Sequence, residues 1–184
     1  AFNVYVLLEI SSLTAYALVA MGKEFDRRAL TAAFHYLIMG TVGASLVLLG
    51  IGYLFMVTGT LNMADMAQQL ALEPTNRTVI TAFALIIVGL SLKMGLFPLH
   101  QWLPNAYTYA PTAVSAFMAS TATKVGIYVG LRFFYTIFRP DDLKSMGADA
   151  LVFFACLGIV FGSVRAIQQT NVKRLLAYSS VAQV

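Results

Sequence analysis

Glu9, Lys93 and Lys124 each stand inside an otherwise apolar stretch of helix length. A carboxylate and two primary amines can form a proton relay, because each binds or releases one proton and each alters its neighbours' readiness to do so. A charge at the middle of a lipid-spanning helix costs roughly 2.5–3.5 kcal/mol on insertion scales, so it persists where it meets a partner or a wet cavity. Tyr5, Glu9, Ser12 and Tyr16 follow one another at spacings of 4, 3 and 4, which lines them along one helical face. That stripe gives the carboxylate hydroxyl neighbours and turns it from lipid. A glutamate that only ties helices together by a hydrogen bond is the competing reading.

Lys93 lies about fifteen residues into its apolar run, or ~22 Å at the rise of a helix. Pro98 follows five residues later and, lacking an N–H, leaves the Met94 carbonyl without its helical partner. A straight helix from Thr78 to Pro111 would measure ~50 Å, too long for one crossing. The spacing therefore predicts a broken helix with unwound backbone near Lys93 facing protein or water, as at ion sites in transporters. A lysine snorkelling to the membrane edge is the plainer alternative. Lys124 comes thirteen residues after Pro111, ~20 Å along its helix, with Ser120, Thr121 and Tyr128 at i−4, i−3 and i+4. A purely structural ion pair would use the same residue. The two lysines, 31 residues apart, suit consecutive spans and a shared layer. His100 is placed to bridge Lys93 to Lys124 through water. His35, early in a span beside Tyr36, suits a proton relay or a helix contact equally. The expected proton pathway is thus Glu9, Lys93, Lys124, His100 and His35, with Pro98 at the break.

Helices long enough to cross a bilayer must carry these groups. The chain of 184 residues is 59% hydrophobic, with a mean hydropathy of +0.78. Apolar runs lie at roughly 2–21, 30–57, 78–97, 112–137 and 149–168, and a sixth begins near Asn171. Each complete run covers about 30 Å of hydrocarbon and is apolar almost all round, unlike helices of a soluble bundle. The fold class is all-α, a polytopic membrane bundle of five spans and the start of a sixth. The chain opens inside an apolar run, with no initiator Met and no signal-peptide pattern, and stops soon after the sixth begins, so it reads as a fragment.

Lys23, Arg27 and Arg28 mark the first connection, and Arg165, Lys173 and Arg174 cluster about the fifth; the positive-inside rule puts both in the cytoplasm. The second, Thr58–Arg77, carries only Arg77. In the fourth, Arg139 and Lys144 run against that pattern, partly balanced by Asp141 and Asp142. Within the second, Met63, Met66, Ala67 and Leu70 predict a short amphipathic helix at the membrane interface, capped by Asn62. The tract 98–111, with three prolines, His100 and Trp102, separates the third and fourth spans. Gly40, Gly43 and Gly50 suit close helix packing. Cys156, the single cysteine, reads as a small core filler and leaves no disulfide framework or metal-ligand set. A net charge of +4 is better explained by topology than by nucleic-acid affinity. The sequence holds no Gly-rich phosphate loop, haem-ligating pair or nucleophile constellation, so neither a cofactor nor catalytic chemistry is expected.

The run LKMGLFPLHQWLPNAYTYAPTAVSAFMASTATKVGIYVGLRF resembles the signature of antiporter-like proton-conducting membrane subunits. That family holds the large membrane-arm subunits of respiratory complex I and the A and D subunits of Mrp-type cation/proton antiporters, with relatives in membrane-bound hydrogenases. LLEISSLTAYALV, TGTLNMADMA and NVKRLLAYSSVAQ extend the similarity over essentially the whole chain. The resemblance implies a fold of about fourteen helices, of which residues 1–184 hold the fifth to the early tenth. It puts the family's fifth-helix glutamate on Glu9, its broken seventh-helix lysine on Lys93 and its eighth-helix lysine on Lys124. Many members have Asp and His where Asn105 and Tyr107 stand, Pro in place of Gly95, and in complex I His in place of Gln183. The wording PLHQWLPNAY is closer to a D-type antiporter protein than to a complex I subunit.

The implied function is proton translocation within a multisubunit complex of a prokaryotic inner membrane, with the mitochondrial inner membrane as the alternative. A D-like protein of an Mrp-type monovalent cation/proton antiporter is preferred, and the alternative is a proton-pumping subunit of an NADH:quinone oxidoreductase or membrane-bound hydrogenase. A structural scaffold is a third reading. The implied partners are other membrane subunits and lipid, with protons and, for an antiporter, Na+ or K+ as the moving ions.

Overall fold

The computed structural model describes residues 1–71, 76–138 and 141–184, the side chains of 141–146 excepted. Arg139 and the side chains of Asp141, Asp142 and Lys144 therefore lie outside the described residues. Every regular element among the described residues is helical: α1 (Phe2–Ala20), α2 (Arg28–Thr58), α3 (Met63–Leu70), α4 (Arg77–Met94), α5 (Trp102–Tyr109), α6 (Thr112–Arg132), α7 (Asp141–Ile167) and α8 (Val172–Gln183). A 3₁₀ turn, Met21–Glu24, follows α1, and a π turn, Phe133–Ile137, prolongs α6. Five of the helical segments are long and apolar enough to cross a membrane.

Three features differ from expectation. The third span ends at Met94, not 97, because Gly95 adopts φ 76° and both it and Leu96 donate to the Ser91 carbonyl at 3.0 Å. A left-handed glycine closes the helix before Pro98 is reached. The Pro-rich tract then re-enters helix as α5, which tolerates Pro104 because the first-turn N–H groups lack helical acceptors anyway. The helix that carries the fifth span starts earlier, at Asp141, although the apolar span itself, Gly147–Ile167, lies close to the expected 149–168. Cys156 proves exposed on α7, not a core filler, since α7 packs chiefly against α8.

Glycines set the closest helix contact, between α2 and α4. A Cβ on Gly89 would press on the Gly43 carbonyl oxygen at 2.5 Å, and one on Gly50 would meet the Ala82 carbonyl oxygen at 2.9 Å. Such close approach supplies the dispersion contact that drives helix association where lipid removes the hydrophobic incentive. Gly43 is the midpoint of the 31-residue α2, and Leu92 packs beside it. Lys93 therefore lies level with the middle of α2, far from either end of that helix.

The amphipathic α3 forms as expected, with the Asn62 side-chain oxygen accepting from the Ala64 N–H at 3.0 Å. Its apolar side does not face lipid. Met66 and Leu70 are buried in a cluster with Leu54, Ile86, Phe133 and Ile137. The bundle already offers an apolar floor there, so α3 closes that end of it. At the opposite end Arg28 donates to the Tyr109 hydroxyl at 3.4 Å, and the Lys173 ammonium donates to the Ala110 carbonyl at 3.0 Å. The basic first and fifth connections therefore meet on one face.

Candidate functional site: an acid–base pair at a broken helix

Glu9 and Ser12 are three residues apart on α1 and point the same way. The last turn of α4 brings Lys93 between them. Its Nζ donates to Glu9 Oε1 at 2.5 Å and to Ser12 Oγ at 2.6 Å. The Ser12 hydroxyl in turn donates to the Leu8 carbonyl at 2.7 Å. Both charged side chains are largely buried, 10% exposed for Lys93 and 20% for Glu9. A lone ammonium or carboxylate there would suffer desolvation that the pair offsets by Coulomb attraction and hydrogen bonding. The C-terminus of α4, with its unsatisfied carbonyls, favours a cation in the same turn.

The break behind Lys93 is held by aromatic residues. With Leu96 bonded to Ser91, the Leu92 carbonyl loses its usual partner; the Trp102 indole N–H takes it at 2.9 Å. Trp102 stacks on Tyr36 of α2 at 4.2 Å and 3°, and Tyr36 meets Tyr16 of α1 edge-on at 4.5 Å. Gly40 leaves room for the Tyr16 hydroxyl, which a Cβ at that position would strike. One aromatic column thus links α1, α2 and α5 to the carbonyl beside Lys93. Trp102→Phe keeps the stack but strands a buried carbonyl, which should cost about 1–3 kcal/mol. Thermal unfolding of the purified full-length protein should show it, and an unchanged midpoint would contradict the assigned bond.

A cavity of about 430 Å³ opens between α1, α4 and α6, lined among others by Ser12, Tyr16, Lys93, Trp102, Thr121 and Tyr128. It has room for several waters and enough hydroxyls to hold them. Thr121 and Tyr128 belong to the polar stripe that carries Lys124, so the cavity reaches that stripe. Lys124 itself turns outward; it is exposed and donates to the Ala119 carbonyl of its own helix at 2.8 Å.

The two histidines are not gathered here. His100 is buried, but it stacks on Phe97 at 5.5 Å and meets Phe161 of α7 at 5.1 Å. The turn after Gly95 aims it at α7 rather than between the lysines, and its Nδ1 has no hydrogen-bond partner among the described residues. His35 is exposed on the outer face of α2 beside Phe34. Sequence reasoning placed Ser12 on the correct face without seeing that it binds the lysine. It missed the Trp102 tie and the part played by Gly95; the available signal was a glycine two residues after the buried lysine and before a proline.

Five apolar crossings, a largely buried glutamate–lysine pair and an interrupted helix beside a hydroxyl-lined cavity define an integral membrane protein with acid–base groups inside its bundle. A family model described as NADH:quinone oxidoreductase/Mrp antiporter, TM matches residues 1–184, and the chain belongs to that family. The chain is 51% identical over 183 residues to NADH-quinone oxidoreductase subunit N of Desulforudis audaxviator (strain MP104C), covering 100% of this chain and 36% of that protein. It is 31% identical over 183 residues to the D subunit of the Na(+)/H(+) antiporter of Bacillus subtilis (strain 168), with the same 100% and 36% coverage. In a solved structure of the membrane-bound sulfane sulfur reductase, an archaeal respiratory membrane complex, one chain superimposes with a TM-score of 0.90 at 37% identity, covering 99% of this chain and 37% of that one. The chain spans a little over a third of the length of these proteins.

Proposed function

We propose that the protein is a proton-translocating membrane subunit of a multisubunit complex, in which residues 1–184 supply the fifth to early tenth helices of a fourteen-helix fold. The observation that carries this reading is the Glu9–Lys93 pair, largely buried between two apolar helices beside a cavity of hydrating size. Desolvation favours neutral lysine, whereas an adjacent carboxylate favours the ammonium form. Withdrawal of Glu9 would let Lys93 release its proton to cavity water, leaving a neutral amine; return of Glu9 would draw a proton back. The proton would leave along Thr121 and Tyr128 towards Lys124, a route that bypasses His100 and His35. Lys124→Ala in the reconstituted complex should lower proton flux about tenfold, less than the ~100-fold or more for losing a buried proton-transfer group, because water can reach the exposed Lys124 position. Wild-type flux in that variant would favour a scaffold role for the lysine.

Two energy sources suit this mechanism. The wording PLHQWLPNAY points to a D-type antiporter protein; the 51% identity to a quinone oxidoreductase subunit N, against 31% to the antiporter's D subunit, favours redox drive instead. Isolation of the intact complex discriminates the two. Copurifying iron–sulfur proteins would support redox coupling, whereas small membrane proteins alone would support Na+ or K+ exchange against protons.

A further inference from the structure

Lys93 has two side-chain acceptors, and the acid–base mechanism uses only one. Ser12 Oγ accepts from the ammonium at 2.6 Å and donates to the Leu8 carbonyl at 2.7 Å. That second bond commits the hydroxyl proton, leaving the Ser12 oxygen lone pairs for Lys93. Ser12 is buried, and it lines the 430 Å³ cavity together with Lys93. It also lies one helical turn from Glu9, so a lysine that loses the carboxylate still has an acceptor within reach.

We propose that Ser12 is a positioning residue that holds the Lys93 amino group in the cavity while the Glu9 contact is open, as the ammonium until its proton passes to cavity water. The pair can then separate without leaving a bare buried charge, because Ser12 already accepts from Lys93 and the cavity has room for water beside it. Hydrogen bonds to an ammonium are stronger than those to a neutral amine. Ser12 therefore favours the protonated lysine and lets it reload from a dilute proton supply. The other titratable groups facing this space are Glu9 and Tyr16 of α1, Tyr36 of α2 and Tyr128 of α6.

This inference rests on the proton-translocation reading, and the experiment keeps their failures apart. Proton flux through the reconstituted full-length complex is measured from pH 6 to 9 for wild type, Ser12→Ala, Ser12→Thr and Lys93→Ala. Ser12→Ala should lose flux about tenfold at the alkaline end, the size expected for losing one hydrogen bond to a charged group, and much less at pH 6. Its alkaline limb should thus move to lower pH. Ser12→Thr, whose hydroxyl can make the same bond to the carbonyl four residues back, should restore the wild-type profile. A Ser12→Ala profile superimposed on wild type overturns the proposal, as does a uniform loss across pH that Ser12→Thr fails to rescue. Wild-type flux in Lys93→Ala would instead sink the underlying translocation reading.

Discussion

Lys93→Ala in the reconstituted full-length protein is expected to reduce proton movement by at least about a hundredfold, the lower range for removing a positioned proton-transfer group, with the complex still assembled. The distance to Glu9, the burial of both groups and the adjoining cavity all converge on this amine. Lys93→Arg is the sharper variant. A guanidinium keeps the charge and the ion pair but does not give up its proton at any working pH. It should therefore preserve assembly and stability while transport falls as far as in Lys93→Ala. A dye-based measurement of proton uptake into vesicles, with subunit stoichiometry checked on the same preparation, decides the matter. Near-normal transport through Lys93→Arg would show that the lysine supplies fixed charge and does not cycle.

The second large effect concerns Glu9. Glu9→Leu leaves a buried ammonium facing only Ser12, and breaking one side of a buried pair costs on the order of 3 kcal/mol. Denaturation of the solubilised protein should register that loss. Removing both charges together, as Glu9→Leu with Lys93→Met, should recover most of the stability, because apolar side chains of similar volume substitute well for buried ion pairs. Transport should be absent from the double variant. Stability and function thus part company: the pair is costly to halve, cheap to delete and indispensable for moving protons. A double variant as unstable as Glu9→Leu would mean that the two residues act separately and do not form one coupled unit.

The membrane-spanning helices were legible because hydropathy over a window of bilayer length leaves few alternatives, as α2 and α6 illustrate. Glu9 and Lys93 were legible for the complementary reason: a charge in hydrocarbon needs a partner, so isolated ionisable residues stand out against their surroundings. Helix periodicity even put Ser12 beside Glu9. Less could be said of His100, which has the same sequence neighbourhood whether it turns towards the lysines or towards Phe161. Its direction depends on how the chain leaves Gly95, and that follows from packing against Leu103 and α7.

By itself, then, the amino-acid sequence determined the crossings, the broken third span and the acid–base groups worth seeking, since each follows from local solvation or backbone chemistry. Tertiary structure alone decided which partner Lys93 takes, that Trp102 satisfies the Leu92 carbonyl, that α3 seals the bundle, and that Lys124 faces away from the pair. Those outcomes join residues as far as 84 positions apart. Contacts of that range arise from the rotation and crossing of whole helices, which no local pattern encodes.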